Sequence, residues 1–150
     1  MERAIQLALE NVRSGSGGPF GALVVKDGAV IGEGANRVTS MLDPTAHAEI
    51  VAIRAACHAL AAFQLAGCDL YTTCEPCPMC MGAIYWARLN KVYYANTRSD
   101  AAAAGFDDSL IYDQLALPLD ARRIPMIQVM QNQALAVFRE WDRSETKIQY

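Results

Sequence analysis

Two short stretches of this chain must meet in space, and that requirement constrains the fold more than anything else in it. Cys77 and Cys80 stand three apart at the start of one predicted helix, in TTCEPCPMC, with Pro76 and Pro78 marking where the helix begins. Thr45-Ala46-His47-Ala48-Glu49 opens the other long predicted helix, with His47 30 positions before Cys77. His47 and Glu49 are two apart, so on the flank of a helix they would point to different sides. They can serve one site only beyond the helix tip. A fold that uses both stretches aims two helix N-termini at one point.

Residues three apart on a helix share a face, and free helix-start N–H groups with the helix dipole favour thiolates there. A soft divalent ion such as zinc suits the pair. CxxC alone leaves two other readings open, a redox dithiol and half of a structural zinc knot. Joined to His47 it becomes a set of three ligands, one imidazole and two sulfurs, with one tetrahedral position left open. That is the catalytic arrangement of zinc, where structural sites fill all four positions. Glu49 then stands beside the open position as a proton carrier. Cys74 as a fourth ligand would close the site, so it is read as a small buried residue ending a strand. Cys57 and Cys68 are read as core residues, and His58 as a surface or packing residue.

The rest of the chain supplies elements to carry this site. Apolar spacing predicts a helix over Glu2–Arg13. FGALVVKDGAVIGEGA reads as a hairpin turning at Asp27-Gly28. Residues 36–44 read as a loop, and Asp43 or Thr45 as the cap of a helix over 46–63. Strands follow at 68–73 and 91–95, with the CxxC helix between them. Short helical pieces lie around Gly105 in 100–117, then a possible last strand at 124–129, a last helix at 131–141 and a polar tail, 142–150. Helices alternating with strands after an opening hairpin imply a mixed sheet with helices on both faces, in a single domain over 1–150.

Composition narrows the function. With 13 basic and 16 acidic residues the net charge is −3, and no basic run exists. Nucleic-acid binders lean on a basic field, so a polynucleotide partner is disfavoured. No apolar stretch is long enough to span a membrane, and no signal-like segment opens the chain, so the cytoplasm is the expected location. Five clustered cysteines, an odd number, argue against a disulfide framework. A hydrophobic content of 53% suggests that subunits pack together.

HAE followed by PCxxC resembles the zinc-dependent cytidine deaminase superfamily, whose members share the ligand and proton-carrier roles described above. GGPFGALVVKDG, DPTAHAEIVAIR, YTTCEPCPMCMGAIYWAR and AAAAGFDDSLIY resemble the guanine deaminase branch of that family, over nearly the whole chain. The resemblance implies a three-layer α/β/α fold with a central mixed sheet of about five strands. It implies one zinc ion per chain on His47, Cys77 and Cys80. It also implies hydrolytic deamination of guanine to xanthine and ammonia.

The same resemblance points to Asp108 as a second acid near the leaving amine, with Asp107 as a helix cap or solvent-exposed residue. It places Asn36 on the purine edge. Phe20, after a rigid Gly-Gly-Pro turn, is positioned to cover a flat base, and Ala48, Trp86 and Phe106 are further candidates for the pocket wall. Two chains of the family exchange C-terminal segments, so Tyr150 is expected to close the partner's site in a homodimer. The nearest rival is a tRNA adenosine deaminase, which shares HAE and PCxxC but acts on a flipped base and needs a basic rim. Deamination of cytosine or another small amino-heterocycle, and a non-catalytic zinc or redox module, are the remaining readings.

Overall fold

An amphipathic helix, α1 (Glu2–Arg13), opens the chain and buries Ala4, Ala8 and Asn11 on one side. The hairpin follows as β1 (Gly21–Lys26) and β2 (Ala29–Ala35), paired antiparallel. Its turn residues Asp27 and Gly28 both take positive φ, 49° and 80°, the two-residue geometry that matches strand twist. The structure, a computed structural model, describes residues 1–150 and divides into two units, Met1–Asp108 and Ser109–Tyr150.

In the first unit β2 leads through a short helix, α2 (Val38–Met41), into α3 (Ala48–Leu60). Then come β3 (Cys68–Cys74), α4 (Pro78–Trp86), β4 (Lys91–Asn96) and α5 (Arg98–Ala103). The sheet order is β2-β1-β3-β4, antiparallel except for the parallel pair β3/β4 that α4 connects. This is the expected mixed sheet, with four strands in place of about five. The helical turn at α2 interrupts what the sequence suggests is pure loop.

Small residues set how closely the helices approach. Alternate residues of β1 and β2 face opposite ways, so Gly21 looks toward α1, while Ala22 and its partner Gly34 look toward α3. A Cβ at Gly34 would lie 2.1 Å from the Ala48 carbonyl oxygen, and one at Gly32 2.5 Å from that of Ala52. Facing them, Ala48, Ala52 and Ala56 form a fully buried stripe along α3. Strand backbone and helix backbone are in direct contact there. The core continues through Val24, Leu70, Leu65 and Ile84 on the same face, each large side chain contributing about 1.5–3 kcal/mol by leaving water. On the other face Arg3 grips Glu33 through two contacts, of 2.9 and 2.6 Å, and anchors α1 to β2.

The second unit contains α6 (Ser109–Ala116), a 3-10 turn at Leu119–Ala121 and α7 (Gln131–Arg143). The strand expected at 124–129 does not form; Pro125, its second residue, has no N–H to donate to a ladder. A cavity of about 320 Å3 opens between α6 and the following coil, walled by Leu110, Ile111, Leu115, Ile124 and Met126. No helix of the chain is long and apolar enough to cross a membrane.

Candidate active site

The two helix tips meet. The helix expected to begin at Ala46 begins at Ala48, and neither Asp43 nor Thr45 caps it. The Asp43 carboxylate instead accepts bonds from the Thr45 N–H and hydroxyl, at 2.8 and 2.7 Å, one turn earlier. His47 therefore becomes the N-cap residue of α3 in extended conformation, and Cys77 holds the same position on α4, with Pro78 in the first helical turn. His47 makes no side-chain cap bond to α3, and the Cys77 sulfur meets Cys80 of its own first turn and His47 across the gap, so both side chains sit at the tips. Glu49 and Cys80 follow in the first turns. The flank problem posed by the His47–Glu49 spacing is solved in this way.

The donor atoms of His47, Cys77 and Cys80 all lie within 4.8 Å of one another. His47 Nδ1 is 3.5 Å from Cys77 Sγ and 3.6 Å from Cys80 Sγ. A tetrahedral zinc ion with ordinary bond lengths separates a sulfur and a nitrogen ligand by about 3.6 Å. The residues present therefore fit the ion in number, chemistry and spacing. The Cys77 sulfur is held down at about 4, chiefly by the Cys80 thiol bonded to it and also by His47. Cys80 is pushed up by the same bond, by burial and by Glu49. Cys80 Sγ also lies within hydrogen-bond reach of Glu49 Oε2, at 3.5 Å. The bond to Cys77 raises the His47 imidazole.

Glu49 is 5% exposed, and burial is the main cause that raises its carboxyl. Its Oε1 accepts a 3.0 Å bond from the Thr72 hydroxyl, leaving Oε2 turned toward the sulfurs. Thr72 is fully buried on β3, on the face that looks toward α3. It was not singled out in the sequence. The signal was available: Cys68, Leu70 and Thr72 alternate inward, and the third is polar where a core strand has an apolar residue.

Cys74 stands apart from the ligand set. Its sulfur lies 3.6 Å from the Thr97 carbonyl, and burial pushes the thiol up to about 11. Cys68 is buried and Cys57 half-buried, the packing roles expected of them. Asp108, half-buried, is raised by desolvation and next by the charge of Cys77, which puts its carboxyl in the field of the cluster. Phe106, two residues earlier, meets Phe20 edge to face with ring centroids 4.9 Å apart. That contact joins the loop before Asp108 to the loop before β1.

Asn36 is buried, and its Oδ1 accepts from the N–H groups of Gly18 and Val38 at 3.2 and 3.3 Å. With the oxygen committed, the Asn36 amide nitrogen is the end that can meet a ligand, and it can only donate. Asn11, which the sequence reading passed over, lies beneath. Its Nδ2 donates to the carbonyls of Gly18 and Asn36, both at 2.8 Å. Its Oδ1 is buried with no protein partner, at a cost of about 1–3 kcal/mol. Here too a signal existed, an asparagine on the Ala4–Ala8–Asn11 buried stripe.

The remaining candidates fall elsewhere. Ala48 sits between His47 and Glu49, but its methyl faces the core, and only its backbone N–H is available at the tip. Trp86 closes α4 at the end opposite Cys77, about 13 Å along the nine-residue helix, and is 62% exposed. Within one chain it does not wall the site. Tyr150 ends the second unit and is 71% exposed.

Residues 1–96 match the cytidine and deoxycytidylate deaminase zinc-binding region. The whole chain is 55% identical to guanine deaminase of Bacillus subtilis (strain 168), spanning 96% of that protein. The X-ray structure of guanine deaminase from Bacillus subtilis superposes with a TM-score of 0.97 at 56% identity, over 99% of this chain and 95% of that one. The tRNA-specific adenosine deaminase of Agrobacterium fabrum is 48% identical, but over 93 residues, 60% of this chain and 61% of that protein.

Proposed function

The chain belongs to the zinc-binding cytidine and deoxycytidylate deaminase family, and from that premise we propose that it hydrolyses guanine to xanthine and ammonia, all 150 residues serving as one catalytic domain. The observation that carries this reading is the convergence of His47, Cys77 and Cys80 at two helix tips beside buried Glu49. Full-length similarity to guanine deaminase, against partial similarity to tRNA deaminases, supports the substrate.

When bound by these three residues, zinc supplies the Lewis acidity that makes water a nucleophile near neutral pH. The side chains do the rest. Asn36, its oxygen tied down, donates to an acceptor on the purine edge; guanine offers O6 and N7 side by side there. Phe20 and Phe106 flank the base. Glu49 Oε2 takes a proton from the attacking water and delivers it to the ring nitrogen beside carbon 2. Asp108 protonates the departing amine as the C2–N bond breaks, and is reprotonated by the proton that the new C2 hydroxyl sheds on becoming the carbonyl. One water enters, one ammonia leaves, and the protons balance.

The test is ammonia release from free guanine beside a tRNA anticodon stem-loop. Guanine is expected to be turned over and the RNA not; release from the RNA alone would reassign the substrate. In the same assay Asp108→Asn is expected to lower kcat by about a hundredfold or more with the far-UV spectrum unchanged. A normal rate would reduce Asp108 to a helix-start residue.

We also propose that two copies pair and exchange their C-terminal segments, Tyr150 of each reaching its partner's site. In one chain Ile127, Val137 and Phe138 are 80%, 70% and 67% exposed. Together with the apolar cavity beside α6, that is a surface a partner covers. Deleting residues 144–150 is expected to raise KM for guanine about tenfold or more without loss of helix signal. A truncated chain as active as the full one would exclude a closing tail.

A further inference from the structure

We infer that Asn11, on α1, is a positioning residue for purine recognition, acting through Asn36. The inference rests on the guanine reading above. It starts from a closed ring of hydrogen bonds. Asn11 Nδ2 donates to the Asn36 and Gly18 carbonyls, both at 2.8 Å. The Gly18 N–H returns to Asn36 Oδ1 at 3.2 Å, and the Asn36 N–H donates to the Phe20 carbonyl at 3.0 Å. One side-chain nitrogen thus fixes the backbone of both segments that carry the proposed base contacts. No other residue type of this size puts two donors on one atom between two carbonyls.

The packing around this tie is close. A Cβ on Gly17 would lie 2.1 Å from the Asn36 carbonyl oxygen and 3.1 Å from Asn11 Nδ2. Asn11 is only 3% exposed, and its own oxygen is left without a protein partner. An alanine or leucine would suit the apolar stripe of α1 better. The amide is therefore explained by what its nitrogen holds. Without it the Asn36 carbonyl and the Gly18 loop lose their common tie, and Asn36 can rotate its amide so that the oxygen, not the nitrogen, meets the base. Asn11 touches neither substrate nor metal, so its removal affects binding and leaves the proton transfers at Glu49 alone.

The experiment is a double-mutant cycle read by steady-state kinetics with guanine: wild type, Asn11→Ala, Asn36→Ala and the double variant. Asn11→Ala is expected to raise KM about tenfold, the worth of one well-aligned hydrogen bond, with kcat within about threefold. In the Asn36→Ala background the same change should leave KM within about twofold, since coupled residues do not add. Equal effects in both backgrounds, or a loss in kcat in place of KM, would overturn the assignment. Asn11→Asp, the same size without the donors, replaces alanine if that variant melts during the assay. A wild-type enzyme that ignores guanine would refute the functional reading itself, a result distinct from either outcome of the cycle.

Discussion

Glu49→Gln is expected to reduce kcat for guanine by about a thousandfold or more while zinc stays at one ion per chain. The size follows from the role: a positioned proton carrier is worth about a hundred- to ten-thousandfold, and Glu49 handles the proton of the attacking water. Glutamine has the same shape, and the Thr72 hydroxyl can donate to its Oε1 as it does to Glu49 at 3.0 Å. Its amide cannot accept and return a proton. The fold should be indifferent, because a buried carboxyl already raised by desolvation loses little on becoming neutral. Ammonia release and metal analysis on the same sample separate the cases. Turnover within about tenfold of wild type would remove Glu49 from the chemistry, and zinc lost together with activity would make it a support for the site.

Replacing Cys77 by Ser is expected to abolish both zinc retention and deamination. Cys77 and Cys80 supply two of three donors, and neither is exposed. A serine hydroxyl is a harder, weaker donor that does not ionise at neutral pH. Even outer-shell partners of a metal cost ten- to a hundredfold in affinity, so loss of a ligand should exceed about a hundredfold. The wild-type protein treated with a chelator should lose activity in step with zinc and regain it on adding the ion, while the serine variant should not recover. Cys74→Ser, at a position 3.6 Å from the Thr97 carbonyl and outside the cluster, is the control and should keep its metal. If that control loses zinc and Cys77→Ser keeps it, the ligand set is wrong.

The ligand set was legible in the chain because local spacing fixes it. A CxxC at a helix start and a His–x–Glu at another have one geometry in which all four reach a common point. The Asp27-Gly28 turn was equally local. What the sequence concealed was tertiary. The start of α3 shifted by two residues because the Asp43 carboxylate was spent on Thr45, and only that shift brings His47 to the N-cap. Trp86 was a candidate for the pocket wall, yet a helix of nine residues carries it away from the ligands. The strand at 124–129 had strand-like residues and one proline that could not join a ladder. Thr72 and Asn11 were hidden differently. Each is a polar residue in an apolar pattern, and its purpose is visible only once its partner, distant in sequence, is beside it.

The contact between β2 and α3 has a consequence for where this protein tolerates change. The Gly34–Ala48 interface lies one residue from His47 and one from Glu49, so the sheet acts as a depth stop for the tip that presents them. A single added methyl at Gly34 would push that tip outward before it loosened the core. Because the atoms it meets are helix backbone, such a protein is expected to melt earlier as well as to lose turnover, with fault and symptom on opposite sides of a helix wall.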